Sequence, residues 1–242
     1  MWGLFVAELM GTLILVLLGN GVIANVVLGE SKGKGSGWIV IATGWGLALA
    51  MGLYVAGWMT GGHLNPAVTI AFAVRGLIPW VTVIPYICGQ LVGAFIGALL
   101  VYVAYLPHWG KSREADQLAA FATIPAIRAP WKNFLTEVIA TAVLLLGIVA
   151  ILNRHNITQM GLGALAVGFL LWAIGLGLGG PTGFAVNPAR DLAPRIAHSI
   201  LPMRGKGSSR WSYAWVPICG PIVGGLIGIY LYDLILLAWG GE

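Results

Sequence analysis

Charge is what this chain of 242 residues most lacks: only 9% are Asp, Glu, Lys or Arg, where a soluble domain carries about 25%. A solvated surface cannot be assembled from so little. The 13 basic and 8 acidic side chains are spread thinly, with no Lys/Arg run that could track phosphates, so nucleic acid is excluded as a partner. Signatures of catalysis are missing too. There is no His-Glu-x-x-His and no Gly-x-Ser-x-Gly, and Ser-Lys-Gly-Lys-Gly-Ser at 31–36 misses phosphate-loop spacing, which argues against an enzyme. His108, His155 and His198 have no ligand-like spacing, so neither a metal nor another cofactor is expected. Cysteine is scarce. Cys88 and Cys219 each lie in an apolar Ile-Cys-Gly context and read as small buried hydrophobes.

What is present is apolar. Hydrophobic residues make up 59% of the chain, and 36 glycines raise the apolar-plus-glycine share to about three quarters. This is the composition of an all-α integral membrane protein; a strand barrel is disfavoured because the apolar runs do not alternate. Charged and loop-type residues cut the sequence into apolar blocks at 3–28, 38–58, 82–106, 134–152, 160–178 and 213–239, each near the roughly 20 residues a transmembrane helix needs. Six spans follow. The stretch 2–28 exceeds a signal-peptide core and lacks a basic n-region or an Ala-x-Ala site, so it is expected to remain as the first span. Two further segments, beginning at Asn65 and Asn187, are too short to cross alone and read as re-entrant half-helices.

The two halves echo each other. Asn-Pro-Ala occurs at 65–67 and 187–189, 122 positions apart, and residues 87–100 align without gaps on 218–231, matching at 8 of 14 positions. Glu8 pairs with Glu137. Because each half holds an odd number of crossings, three, the second half must be inverted relative to the first. The expected organisation is a single transmembrane domain over 1–242, with inverted repeats at about 1–106 and 131–242 joined by a loop over 107–130. Glycines recur every fourth residue at 89, 93 and 97 and again at 220, 224 and 228, stripes that let helices approach closely in lipid.

Asn followed by Pro starts a helix well, since the Asn side chain caps free amides and Pro at the first position wastes none. Irregular backbone at membrane depth is tolerated only where protein or a watery cavity covers it. Two half-helices of about ten residues, roughly 15 Å each, would cross a roughly 30 Å core from opposite faces. Their N-termini meet near the middle. Two positive dipole ends and the spare amide donors of Asn65 and Asn187 would then repel cations and hydronium but admit neutral hydroxyls.

These elements carry a resemblance. Gly-Gly-His-Leu-Asn-Pro-Ala-Val-Thr at 61–69 and Asn-Pro-Ala-Arg-Asp at 187–191 resemble the major intrinsic protein (aquaporin) family over nearly the whole chain. The resemblance implies an hourglass pore of six spans and two half-helices, one pore per subunit of a homotetramer, in the plasma or cytoplasmic membrane. It also implies Asn65, Pro66, Ala67, Asn187, Pro188 and Ala189 as the pore boxes and a selectivity filter of Trp45, Gly175, Phe184 and Arg190. This filter matches the glycerol-facilitator branch; water-selective members typically carry a histidine where this chain has Gly175. Trp45 and Phe184 would face a polyol's carbons, while Arg190 offers fixed donors to its hydroxyls. The expected permeants are glycerol, other small uncharged solutes and water, with ions and protons excluded. A water-selective pore and an ion-coupled carrier are the alternatives.

Glu8 and Glu137 lie within spans, where a bare carboxylate is expensive. A proton relay is one reading; the other, which the family pattern favours, is that each accepts amide hydrogen bonds from a re-entrant loop. His63 is expected to offer its carbonyl to the lumen with its ring packed nearby, and Asp191 to support the second half-helix. The distribution of basic residues conflicts with the resemblance. Lys32, Lys34, Lys111, Arg113, Arg128, Lys132, Arg204, Lys206 and Arg210 follow spans one, three and five, leaving only Arg75 and Arg154 opposite. That count points the termini outward, whereas the family implies cytoplasmic termini, which is the orientation expected here.

Overall fold

The computed structural model describes residues 1–153 and 161–240; Arg154, His155 and Met160 lie outside them. The described residues form nine α-helices and no strand: α1 (Trp2–Val27), α2 (Trp38–Thr60), α3 (Pro66–Val74), α4 (Val83–Ala104), α5 (Glu114–Ala119), α6 (Pro130–Ile151), α7 (Leu162–Leu178), α8 (Pro188–Ile200) and α9 (Trp215–Ala238). Five are long and apolar enough to cross a membrane, α4 and α9 being extended by the short 3₁₀ turns at Trp80 and Trp211. The sixth, α7, has 17 residues, which at 1.5 Å per residue is about 26 Å.

Local chemistry places the boundaries. α3 and α8 each start from an extended Asn with Pro at the first helical position, where the missing N–H costs nothing. α2 stops at Gly61, whose φ of 82° closes the helix in the left-handed region. The far end of α8 has two carbonyls, on Ser199 and Leu201, that accept from the Lys206 ammonium at 2.8 Å each, a cation where the helix dipole favours one.

Close backbone contacts then assemble the bundle. A Cβ on Gly89, Gly93 or Gly97 would run into the carbonyl oxygen of Phe5, Leu9 or Leu13, so the first stripe seats α4 on α1. The second does the same for α9 on α6: added Cβ atoms at Gly224 and Gly228 would strike the Val138 and Ala142 carbonyls, and one at Gly220 would lie 2.7 Å from the Glu137 Cβ. With no hydrophobic drive between helices in lipid, such contacts are a main source of association. A third crossing was not foreseen from the sequence. Gly46 of α2 and Gly168 of α7, also 122 positions apart, face each other, and a Cβ on either would come within 2.8 or 2.6 Å of the other's carbonyl oxygen.

Cys88 and Cys219 correct an expectation: both are exposed on the outside of the bundle. Each directly precedes a stripe glycine, so the helical turn of about 100° per residue carries it off the buried face. Loops 28–37, 105–129 and 201–214 share one side of the molecule, joined by a 2.8 Å bond from the Gly29 amide to the Ser112 hydroxyl and a 3.0 Å bond from the Gln117 amide to the Arg204 carbonyl. On the opposite side Arg75, at the end of α3, forms an ion pair with Asp233 of α9.

Candidate functional site

The tips of α3 and α8 meet. The Asn65 side-chain oxygen accepts from the Ala67 amide at 2.9 Å, and that of Asn187 accepts from Ala189 at 3.0 Å and Arg190 at 3.3 Å. Each Asn thereby caps its own half-helix. Each also reaches across: the Asn65 amide donates to the Val186 carbonyl and the Asn187 amide to the Leu64 carbonyl, both at 2.8 Å. An amide carries two N–H groups, which leaves one on each Asn for the cavity that both side chains line.

The segments leading into these tips are contorted, with Leu64, Phe184 and Val186 at φ of 50°, 38° and 44°. A bulky or β-branched residue in that region is strained and persists only when its surroundings hold it there. Two buried carboxylates do so at Leu64 and Val186. Glu8 accepts from the His63 and Leu64 amides at 3.0 and 2.7 Å and from the Thr60 hydroxyl and Gln90 amide at 2.7 Å each. Glu137 accepts from the Ala185 and Val186 amides at 3.0 and 2.8 Å.

A cavity of about 460 Å³ runs past the paired asparagines, from Trp45, Phe184 and Arg190 to Tyr54, Trp58 and Gly161. Thirteen residues of α2 separate Trp45 from Trp58, about 20 Å along the axis. Its walls are largely apolar, with Leu49, Val68, Ile148 and Leu171 among them, and no carboxylate lines it among the described residues. The Arg190 guanidinium lies 4.0 Å from the centroid of the Trp45 ring, a cation–π distance. Arg190 is 3% exposed, and its Nη1 has no hydrogen-bond partner. A buried donor without a partner is costly, so this one is ready for a hydroxyl arriving in the cavity.

Gly175 lies elsewhere than on the lining. It sits behind Phe184, where an added Cβ would come within 3.0–3.1 Å of the ring and of the Ala42 Cβ. The empty position of this glycine is thus filled by the Phe184 side chain. His63 lines the cavity, with its Nδ1 3.1 Å from the Thr69 hydroxyl and its ring 4.8 Å from those of Phe72 and Tyr86. Pro66, Ala67, Pro188 and Ala189 form the first turns behind the asparagines and do not line the cavity.

Asp191 turns away from the cavity. It accepts from the Thr123 amide at 2.7 Å and hydroxyl at 2.6 Å, and from Arg195 at 2.8 and 2.9 Å. Arg195, fully buried, also donates to the Thr123 and Ser209 carbonyls. It therefore ties two loops to the half-helix that carries Arg190. Sequence reasoning missed Arg195, although an Asp–Arg spacing of four on a helix is a legible signal. It missed Thr60, Gln90 and Thr123 as well, which carry none.

Membrane-length helices enclosing two half-helices, tip to tip beside an apolar-walled cavity with, among the described residues, one free cationic group, define the architecture of a membrane channel. The sequence places it further. The family described as Major intrinsic protein matches residues 1–232. A probable glycerol uptake facilitator protein of Thermotoga maritima is 56% identical over 95% of this chain and 97% of its own length. The glycerol uptake facilitator protein of Bacillus subtilis is 52% identical over 96% of this chain and 83% of its own. Among solved structures, the aquaglyceroporin from Plasmodium falciparum matches with a TM-score of 0.87 at 31% identity, covering 98% of this chain and 97% of that one. This chain belongs to the major intrinsic protein family and is a multi-pass membrane protein.

Proposed function

We propose that the chain is a passive channel for glycerol, water and other small uncharged solutes, and that it excludes ions and protons. The observation that carries this reading is the cavity itself, which passes the reciprocally bonded Asn65 and Asn187 and has Arg190 as its free charged donor. A polyol presents carbons on one side and hydroxyls on the other. Trp45 and Phe184 would take the carbons while Arg190 meets the hydroxyls, and at the midpoint the two Asn amides would donate to a hydroxyl oxygen. The positive dipole ends of α3 and α8 converge there, so a cation or a hydronium meets repulsion with no carboxylate among the described lining residues to offset it. In this reading Glu8, Glu137, His63 and Asp191 support the re-entrant loops.

An ion-coupled carrier would need titratable groups along its path; Glu8 and Glu137 are both turned to loop amides, and His63, which lines the cavity, has its Nδ1 engaged with the Thr69 hydroxyl. Proteoliposomes loaded with the purified protein test the choice by shrink-and-reswell in glycerol and in sorbitol. The channel reading expects reswelling in glycerol only, with flux linear in concentration and indifferent to sodium or a pH gradient. Saturation at modest concentration with ion dependence would favour the carrier.

The same reading makes residues 1–106 and 131–242 inverted repeats of one domain, linked over 107–130, and the assembly a homotetramer in the cytoplasmic membrane. It places both termini inside and the Arg190 end of the cavity outside. The basic loops on the outer side are partly spoken for, since Lys206 caps α8, Arg113 pairs with Asp116 and Lys111 with Glu30. A C-terminal tag should be protected from protease in intact cells and cleaved in inverted vesicles; the reverse pattern would overturn the orientation.

A further inference from the structure

The rings of Trp45 and Phe184 are each seated by residues that do not line the cavity. Gly19 of α1 lies against the Trp45 indole, and a Cβ there would overlap the six-membered part of the ring. Trp45 is 2% exposed with the Arg190 guanidinium over its face. The cavity beside it is the free space into which a displaced ring can move. Phe184 is held differently. Trp38, at the start of α2, packs edge-on against it with ring centroids 5.7 Å apart and an interplanar angle of 78°. The Trp38 indole N–H donates to the Gly175 carbonyl at 2.8 Å, which fixes the larger ring beside the glycine that backs Phe184. The space is full, since a Cβ on Gly179 would lie 2.6 Å from both aromatic side chains.

We propose that Gly19 and Trp38 are positioning residues that set the bore between Trp45, Phe184 and Arg190, Gly19 by receiving the Trp45 ring and Trp38 by backing Phe184. The inference rests on the filter reading given above. It has a directional consequence, because the two sites act with opposite sign. A methyl group on Gly19 pushes Trp45 toward Arg190 and narrows the bore. Loss of the Trp38 ring lets Phe184 fall back and widens it.

The test is stopped-flow flux through proteoliposomes of the full chain, normalised to reconstituted protein, with water, glycerol and the four-carbon polyol erythritol. Gly19→Ala is expected to lower the glycerol-to-water ratio by at least about tenfold, the lower end of what one methylene of misfit does in an apolar pocket. Trp38→Ala is expected to raise the erythritol-to-glycerol ratio severalfold, with Trp38→Phe intermediate. A change that only weakened the fold would lower all fluxes together and leave both ratios alone. Unchanged ratios, or shifts of the same sign in the two variants, would overturn the proposal. Phe184→Ala is the control: if it moves the erythritol ratio and the two positioning variants do not, this inference alone fails. If Phe184→Ala leaves the ratio unchanged, the filter reading itself fails and takes this one with it. Should Gly19→Ala not reconstitute, Trp38→Ala decides.

Discussion

Replacing Gly175 by His together with Phe184 by Ala is expected to cut glycerol flux sharply while water flux survives. The two changes belong together, because a Cβ at Gly175 would press on the Phe184 ring at 3.0–3.1 Å. An imidazole and that ring cannot occupy one space. Once the ring is removed, the imidazole takes its place and exchanges an apolar wall for a polar group opposite Trp45. A water molecule needs only hydrogen bonds and keeps them. A glycerol molecule loses the surface that accepted its carbons. The expected fall in glycerol permeability is about a hundredfold, within the span that one methylene of misfit produces in an apolar pocket. Shrink-and-reswell traces of the double variant measure it directly, and full retention of glycerol flux would falsify the filter assignment.

Glu8→Ala and Glu137→Ala are expected to be the most damaging single substitutions for folding. Each strands two loop amides inside the protein, at His63 and Leu64 or at Ala185 and Val186. At about 1 to 3 kcal/mol for each buried group left unpaired, the loss is about 2 to 6 kcal/mol, much of the 5 to 15 kcal/mol that holds a typical domain together. Glu8→Ala should be the worse, since the Thr60 hydroxyl and Gln90 amide also lose one of their two acceptors and keep the Ala56 carbonyl and the Thr69 hydroxyl. Without the carboxylates Leu64 and Val186 lose the partners of their amides and keep only the bonds their carbonyls accept from Asn187 and Asn65, so the asparagine tips are expected to loosen. Yield of monodisperse protein and its melting temperature report this. The corresponding Gln variants separate support from proton relay. Gln keeps an acceptor oxygen but cannot relay, so support predicts partial rescue of stability and a flux as indifferent to pH as before. A well-folded Gln variant with altered proton leak would restore the relay reading.

Much of the fold was legible because its signals are local. Run length and hydropathy mark the spans, and α1, α2, α4, α6 and α9 begin and end within a few residues of the blocks read from composition. Asn-Pro marks the starts of α3 and α8 because capping and a pre-set φ act within one turn. The glycine stripes marked the tightest contacts of α4 and α9, though not their partners. Cys88 and Cys219 were misplaced for a physical reason. In a soluble helix the polar face reveals the buried one, but lipid is as apolar as the protein interior, so these helices show no polar side from which to read orientation.

By itself, then, the chain's order of residues determined a bundle of membrane helices around two half-helices, because lengths, caps and close-packing glycines are encoded within a few positions. It also put Asn65, Asn187 and Arg190 at the half-helix tips. Only the tertiary structure decided that Gly175 stands behind Phe184 instead of on the cavity wall, that Trp38 and Gly19 seat the two aromatic rings, and that Arg195 binds Asp191 to Thr123 and Ser209. Apart from the Asp191–Arg195 pair, four positions apart on one helix, those relations join residues of different helices and loops, Trp38 and Phe184 lying 146 positions apart. No periodicity or spacing records these contacts between elements, since each depends on which faces of neighbouring helices and loops come together once the backbone has folded.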